Sequence, residues 1–222
     1  MTAPKRIQEN ITARAERRVL NWLCARLPMW LTPDRLTAIG FFGAVLVAAG
    51  FALSNFGRDW LLLAIAGFAM NWFGDSLDGS IARYRKIERP NYGYFIDHSL
   101  DALANTLLVL GMGFSPYLRV DVALFGLVGY LLLSVHTFIA ARIFGIFQLS
   151  YLGGGPTEMR IALMVMTGAM YMAGPDQFVP WPIGRLPFTP FDLFVGGLGV
   201  LLTGIFMVQT ARTGRQLFRK GE

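Results

Sequence analysis

The sequence predicts an all-α integral membrane protein, with six transmembrane helices preceded by an amphipathic interfacial helix. Three observations lead there. The 222 residues are 54% hydrophobic and only 15% charged. Several apolar runs approach the ~20 residues that a helix needs to cross a hydrocarbon core. Short linkers of Pro, Gly and charged residues separate those runs.

Taken in order, the first element is the amphipathic one. Ile11, Ala15, Val19, Leu23 and Leu27 recur at helical spacing, with Arg14, Arg17, Arg18 and Arg26 mostly off that face and Trp22 and Trp30 nearby. The pattern suits a helix lying at the membrane interface or packed on the protein surface. Six spans follow, at about 34–55, 60–82, 93–114, 121–144, 159–174 and 191–211. No internal repeat interrupts them, so residues 1–222 read as one membrane domain: a segment 1–32, a six-helix bundle 33–211 and a tail 212–222. The first apolar run begins too late for a signal peptide and lacks a small-residue cleavage site, so the first span is expected to be retained. Cys24 is the only cysteine, which excludes a disulfide framework and a thiolate metal site.

Charge sets the expected orientation. Lys5, Arg6, Arg14, Arg17, Arg18, Arg26 and Arg35 precede the first span; Arg83, Arg85, Lys86 and Arg89 follow the second; Arg212, Arg215, Arg219 and Lys220 follow the sixth. The opposite loops carry Arg58, Arg119 and Arg185. Basic loops on one side predict that both termini are cytoplasmic, at the inner membrane if the cell is bacterial. The net charge of +6 is largely accounted for by these flanks, so no nucleic-acid partner is expected.

Four aspartates sit within the second and third spans. Asp75 and Asp78 are three residues apart, about 60° around a helix, and Asp97 and Asp101 are four apart, about 40° around. Each pair shares a face, and two antiparallel helices joined by the ten or so intervening residues would bring the faces together. Four ionised carboxylates that close repel by several kcal/mol, so they must take up protons or hold cations. An all-oxygen donor set without cysteine favours Mg²⁺ or Mn²⁺ over Zn²⁺, with room for two ions. Gly79 and Ala82 leave the neighbouring helix surface bare for close approach, and Arg83 can fork onto a phosphate.

Read together, Asp75-x2-Asp78-Gly79-x2-Ala82-Arg83-x9-Gly93-x3-Asp97-x3-Asp101 resembles the signature of the CDP-alcohol phosphotransferase family, as does the stretch LTPDRLTAIG at the start of the first span. The resemblance implies a transferase of phospholipid synthesis that cleaves a CDP-linked substrate with an alcohol and releases CMP. It implies two Mg²⁺ or Mn²⁺ ions on Asp75, Asp78, Asp97 and Asp101, with Asp101 also taking the proton of the attacking hydroxyl. CMP would lie against Asp78, Gly79, Ala82, Arg83 and Gly93. The active site would be cytoplasmic, a CDP-linked substrate and a lipid would be the ligands, and a homodimer is expected.

The branch is read from fewer residues. FIDHSLDAL, with His98 beside Asp97, and GPTE at residues 155–158 look like the choline and ethanolamine phosphotransferases, which move a small activated head group to a lipid hydroxyl. His98 then stands as a general base and Glu158 as a partner for a cationic head group. Arg142 and Arg160 point instead to a CDP-diacylglycerol-dependent enzyme whose soluble acceptor, such as glycerol phosphate or inositol phosphate, carries a phosphate. A divalent-cation transporter is the alternative of another class. The glycine run 153–155 reads as a hinge, and His136 as a packing contact within the fourth span.

Overall fold

The computed structural model describes residues 5–7, 12–148, 155–174, 181–183 and 186–221. Seven helices are present among them: α1 (Ala13–Cys24), α2 (Pro33–Leu53), α3 (Trp60–Arg85), α4 (Pro90–Gly113), α5 (Val120–Phe144), α6 (Pro156–Ala173) and α7 (Pro190–Lys220). Two short strand pairs accompany the helices: β1 (Lys5–Ile7) runs parallel to β2 (Ile146–Gln148), and β3 (Trp181–Ile183) antiparallel to β4 (Leu186–Phe188). At three residues each, they are too short to leave a period-2 pattern in the sequence.

Local chemistry sets the helix ends. Proline opens α2, α4, α6 and α7, where its missing N–H costs nothing and its fixed φ suits the first turn. Thr189 and Asp192 form a reciprocal cap on α7; Asp192, almost wholly buried, also accepts from the Arg119 backbone N–H at 2.8 Å, tying the α4–α5 turn to α7. The α3–α4 link is only Lys86–Arg89, turned by Lys86 at φ 57, so both helices run further than the apolar runs suggest.

α2 is the spine. It packs closely on α3 along most of its length and on α4 along another flank, while α4 rests on α2 and α5. Val47, Phe51, Leu61, Ala64 and Phe68 are fully buried where α2 meets α3, with Phe51 and Phe68 edge to face at 6.5 Å. The closest approach is at Gly74, where a Cβ would stand 2.2 Å from the Gly40 nitrogen and 2.4 Å from the Leu36 oxygen. Any side chain there forces the helices apart.

Several expectations are corrected. α3 and α4 do not pack along each other; α2 lies against both, with Gly40, Gly43 and Gly50 letting it close on α3 and Gly111 letting α4 close on Ala48. α1 and the turn after it pack Cys24, buried, and Leu20, Leu23 and Leu27, partly buried, against Leu31, Leu36, Leu77 and Ile81, leaving Ala15 and Val19 exposed. Its inward stripe is thus rotated from the predicted one, toward the side that can fill the groove beside α3. Burial there pushes the Cys24 thiol pKa up, with Arg85 and Arg83 pulling partly back. The tail beyond residue 211 continues α7 as helix to Lys220. Four helical segments, Pro33–Phe56, Trp60–Arg85, Val120–Phe144 and Pro190–Lys220, are long and apolar enough to cross a membrane, as befits an integral membrane protein. α4, bearing Asp97, His98, Asp101 and Asn105, and the 18-residue α6 are more polar or shorter. Of the glycine run 153–155, only Gly155 lies within the described residues.

Gly74→Ala is expected to cost about 1–3 kcal/mol by overpacking the α2–α3 seam, seen as a lower thermal midpoint in detergent. Gly204→Ala, where a Cβ meets nothing within 4 Å, should be neutral or slightly stabilising. Equal midpoints for the two variants would refute the seam.

Candidate functional site

The four aspartates do converge. Asp75 and Asp78 from α3 and Asp97 and Asp101 from α4 line one cleft, whose remaining wall includes Thr37 and Gly40 of α2. All four are half-buried. Because Gly40 and Gly74 let α2 and α3 touch, Thr37 in the first turns of α2 reaches Asp78, its hydroxyl donating to Oδ2 at 2.7 Å with the Pro33 carbonyl a second acceptor at 3.1 Å. The Gly79 backbone N–H donates to Asp78 Oδ1 at 2.5 Å. Asn71 is buried and donates to the Gly40 carbonyl at 2.9 Å, pinning the seam behind the carboxylates. Asn105 donates to Tyr130 Oη at 2.9 Å and to the Asp101 carbonyl at 2.8 Å, joining α5 to the Asp101 turn.

One cation enters from α6. Arg160 Nη2 donates to Asp75 Oδ2 at 2.5 Å, with side chains only 15% and 22% exposed. A charge-assisted bond in so sheltered a place offsets part of the repulsion among the aspartates. Asp97, His98 and Asp101 each present a ligand atom, all within 4.8 Å of one another. His98 Nδ1 lies 3.5 Å from Asp97 Oδ2, and its ring is held edge-on by Tyr94 at 4.3 Å and beside Phe138 at 5.2 Å. With Asp75 and Asp78 beside them the set is oxygen-rich, convergent and half-buried, which fits hard divalent cations.

The other predicted residues divide. Gly79 and Ala82 follow Asp78 along α3 toward its end. The exposed Arg83 lays its guanidinium over Gly79, 3.3 Å from where a Cβ would stand, and bonds Ser80 Oγ at 3.3 Å. Gly93 has open space where a side chain would be. Arg142 is exposed near the end of α5 and is not part of the cleft wall. Glu158 is also outside that wall: Oε1 accepts from the Thr12 N–H at 2.9 Å and hydroxyl at 2.7 Å, and Oε2 from the Gly155 N–H at 3.0 Å. His136 meets Thr210 at 3.3 Å between α5 and α7, a contact within the bundle.

Sequence reasoning missed Thr37 as an aspartate partner and Glu16 altogether. Thr37 could have been found, since it lies one turn after the helix-opening Pro33 on the side that Gly40 brings against α3. Glu16 carries a fainter signal, as the sole acid of α1, one turn before the partly buried Leu20.

Removing the cation should expose the repulsion. Arg160→Gln is expected to lower the thermal midpoint in metal-free buffer by several degrees and to gain more from added Mn²⁺ than the unaltered protein does. A variant as stable without metal, and no more responsive to Mn²⁺, would remove Arg160 from the charge balance.

Comparison with known proteins places this geometry. The family model described as CDP-alcohol phosphatidyltransferase matches residues 27–207. An archaetidylinositol phosphate synthase of Pyrococcus horikoshii is 31% identical over 105 residues, covering 47% of this chain and 52% of the relative. A phosphatidylinositol phosphate synthase of Cutibacterium acnes is 37% identical over 89 residues, 40% of each chain. Cholinephosphotransferase 1 of Xenopus laevis is 26% identical over 183 residues, 76% of this chain and 42% of that one. The matches thus span about half or less of these relatives' lengths. With the family model covering most of the chain, and the four aspartates gathered at one cleft, the protein belongs to the CDP-alcohol phosphatidyltransferase family, whose members are transferases.

Proposed function

We propose that the protein transfers a phosphatidyl-type group from a CDP-linked lipid to the hydroxyl of a soluble phosphorylated alcohol, with release of CMP. The observation that carries this reading is Arg160, a sheltered cation at the aspartate cleft. A phosphorylated acceptor needs positive charge within reach of the reacting hydroxyl, and the planar guanidinium suits a phosphate. The names of the relatives from Pyrococcus horikoshii and Cutibacterium acnes, both inositol phosphate lipid synthases, favour the same branch. Glu158, engaged by Thr12 and Gly155, offers less support for a cationic head group than the sequence suggests.

Asp75, Asp78, Asp97 and Asp101 would hold two divalent ions, Mg²⁺ or Mn²⁺. When bound, such ions neutralise the pyrophosphate and stabilise the departing CMP. Thr37 and the Gly79 N–H fix the two oxygens of Asp78 toward the cleft. Gly79, Ala82 and Gly93 leave room for CMP, with Arg83 at its phosphate. The bond between the transferred phosphorus and CMP breaks as the acceptor oxygen attaches, and Asp101 takes the acceptor's proton. Glycerol phosphate and inositol phosphate are the acceptors of the right chemistry. Six spans, a cytoplasmic site with both termini on that side, and a homodimer complete the proposal.

A second reading rests on His98, held beside Asp97, and on the long match to the cholinephosphotransferase. In it a small CDP-linked aminoalcohol is the donor and a lipid hydroxyl the acceptor, with His98 as base.

Purified protein in nanodiscs with Mg²⁺ separates the two. CMP release is expected from CDP-diacylglycerol with inositol phosphate or glycerol phosphate, and Asp97→Ala should lower it by about 100-fold or more. Turnover confined to CDP-choline or CDP-ethanolamine with diacylglycerol would establish the second reading; metal flux without nucleotide would refute both.

A further inference from the structure

Glu16 belongs to the surface helix α1, yet its carboxylate is spent on the bundle. Its Oε1 accepts from Trp72 Nε1 at 3.0 Å and Ser76 Oγ at 3.2 Å, both on α3, and from Thr157 Oγ1 at 2.8 Å, on α6. Trp72 and Ser76 bracket Asp75. Thr157 is buried and lies three residues before Arg160, about 60° around the same helix. One oxygen atom therefore bridges the two helix turns that carry the Asp75–Arg160 pair.

The attachment is doubled one turn away. Thr12, four residues before Glu16, donates through its N–H and hydroxyl to Glu158, the neighbour of Thr157. Two successive residues of α6 are thus fastened to Glu16 of α1 and, a helical turn earlier, to its N-cap residue Thr12. The outward side of α1 bears Arg14, Arg17, Arg18, Val19 and Trp22, so the polar bridge is on the face turned to the protein.

We propose that Glu16 is a positioning residue: by joining Ser76 to Thr157 it sets the spacing of α3 and α6 at which Arg160 stands at the aspartate cleft. All three donors to Glu16 are neutral, so an acceptor oxygen is needed and a charge is not. Losing the bridge removes three hydrogen bonds that join α1, α3 and α6, and a displacement of α6 by about 1 Å would misplace a phosphate-binding guanidinium. The kinetic consequence rests on the proposed phosphorylated acceptor; the structural one does not.

The test compares Glu16→Ala with Glu16→Gln in the full chain in nanodiscs. Backbone amide exchange in the first turns of α6 should accelerate about tenfold in Glu16→Ala and stay near the unaltered rate in Glu16→Gln, which keeps the acceptor oxygen. With CDP-diacylglycerol and the phosphorylated acceptor, Glu16→Ala should raise the acceptor KM about tenfold while the donor KM holds, and Glu16→Gln should restore it. Thr157→Val, which removes one donor at nearly constant volume, should reproduce part of the effect and serves if Glu16→Ala fails to fold. Unchanged exchange in Glu16→Ala and Thr157→Val, or failure of Glu16→Gln to rescue, would overturn the inference. If the unaltered protein does not use a phosphorylated acceptor, the proposed function falls while the exchange comparison still decides the role of Glu16.

Discussion

Four carboxylates in one cleft at the end of an apolar bundle repel one another, and the surrounding structure is arranged to contain that repulsion. The bundle meets the demand in three ways. Arg160 brings a positive charge to Asp75, Thr37 and the Gly79 amide donate to Asp78, and the cleft stays open enough for the remaining oxygens to be solvated or ligated. None of these compensations comes from the helix that carries Asp97 and Asp101. Asp97 and Asp101 stand next to His98, and the three present ligand atoms within 4.8 Å of one another.

Backbone proximity makes the arrangement possible. The Gly40–Gly74 contact brings α2 against α3 and lets a short threonine side chain reach Asp78. A longer side chain at either glycine would hold the helices further apart and leave Thr37 out of reach. The polar residues behind the cleft, Asn71 on α3 and Asn105 on α4, bond to neighbouring helices, so the turns bearing the aspartates are tied by hydrogen bonds as well as by packing. In a low-dielectric setting such bonds hold position more firmly than apolar contacts, which tolerate sliding.

Much of this was legible in the sequence, for definite reasons. The aspartate spacing fixes which side chains share a helix face, and that is a property of local geometry alone. The apolar runs marked helices α2 to α7, most strongly the four long enough and apolar enough to cross a membrane, α2, α3, α5 and α7, where about 20 apolar residues leave a clear signal. What the sequence could not convey was adjacency: that α4 lies on α2, that α1 turns Leu20 and Leu23 inward and leaves Val19 out, and that Glu158 faces Thr12. Those facts depend on which surfaces fit together, and residues such as Thr12 and Glu158, separated by 146 positions, give no periodic sign of their contact. The choice between Arg160 and Glu158 as the residue nearer the aspartates was likewise a question of three-dimensional neighbours, although both sit in one turn of one helix.

The place of α2 between the aspartate-bearing helices has a mechanical outcome. With no continuous seam joining α3 to α4, the width of the gap between the two acidic pairs is governed by how each leans on a common axle. Each acidic pair is thus held by its own packed contact with α2, and the distance between the pairs is set through that shared helix rather than by direct packing of α3 on α4.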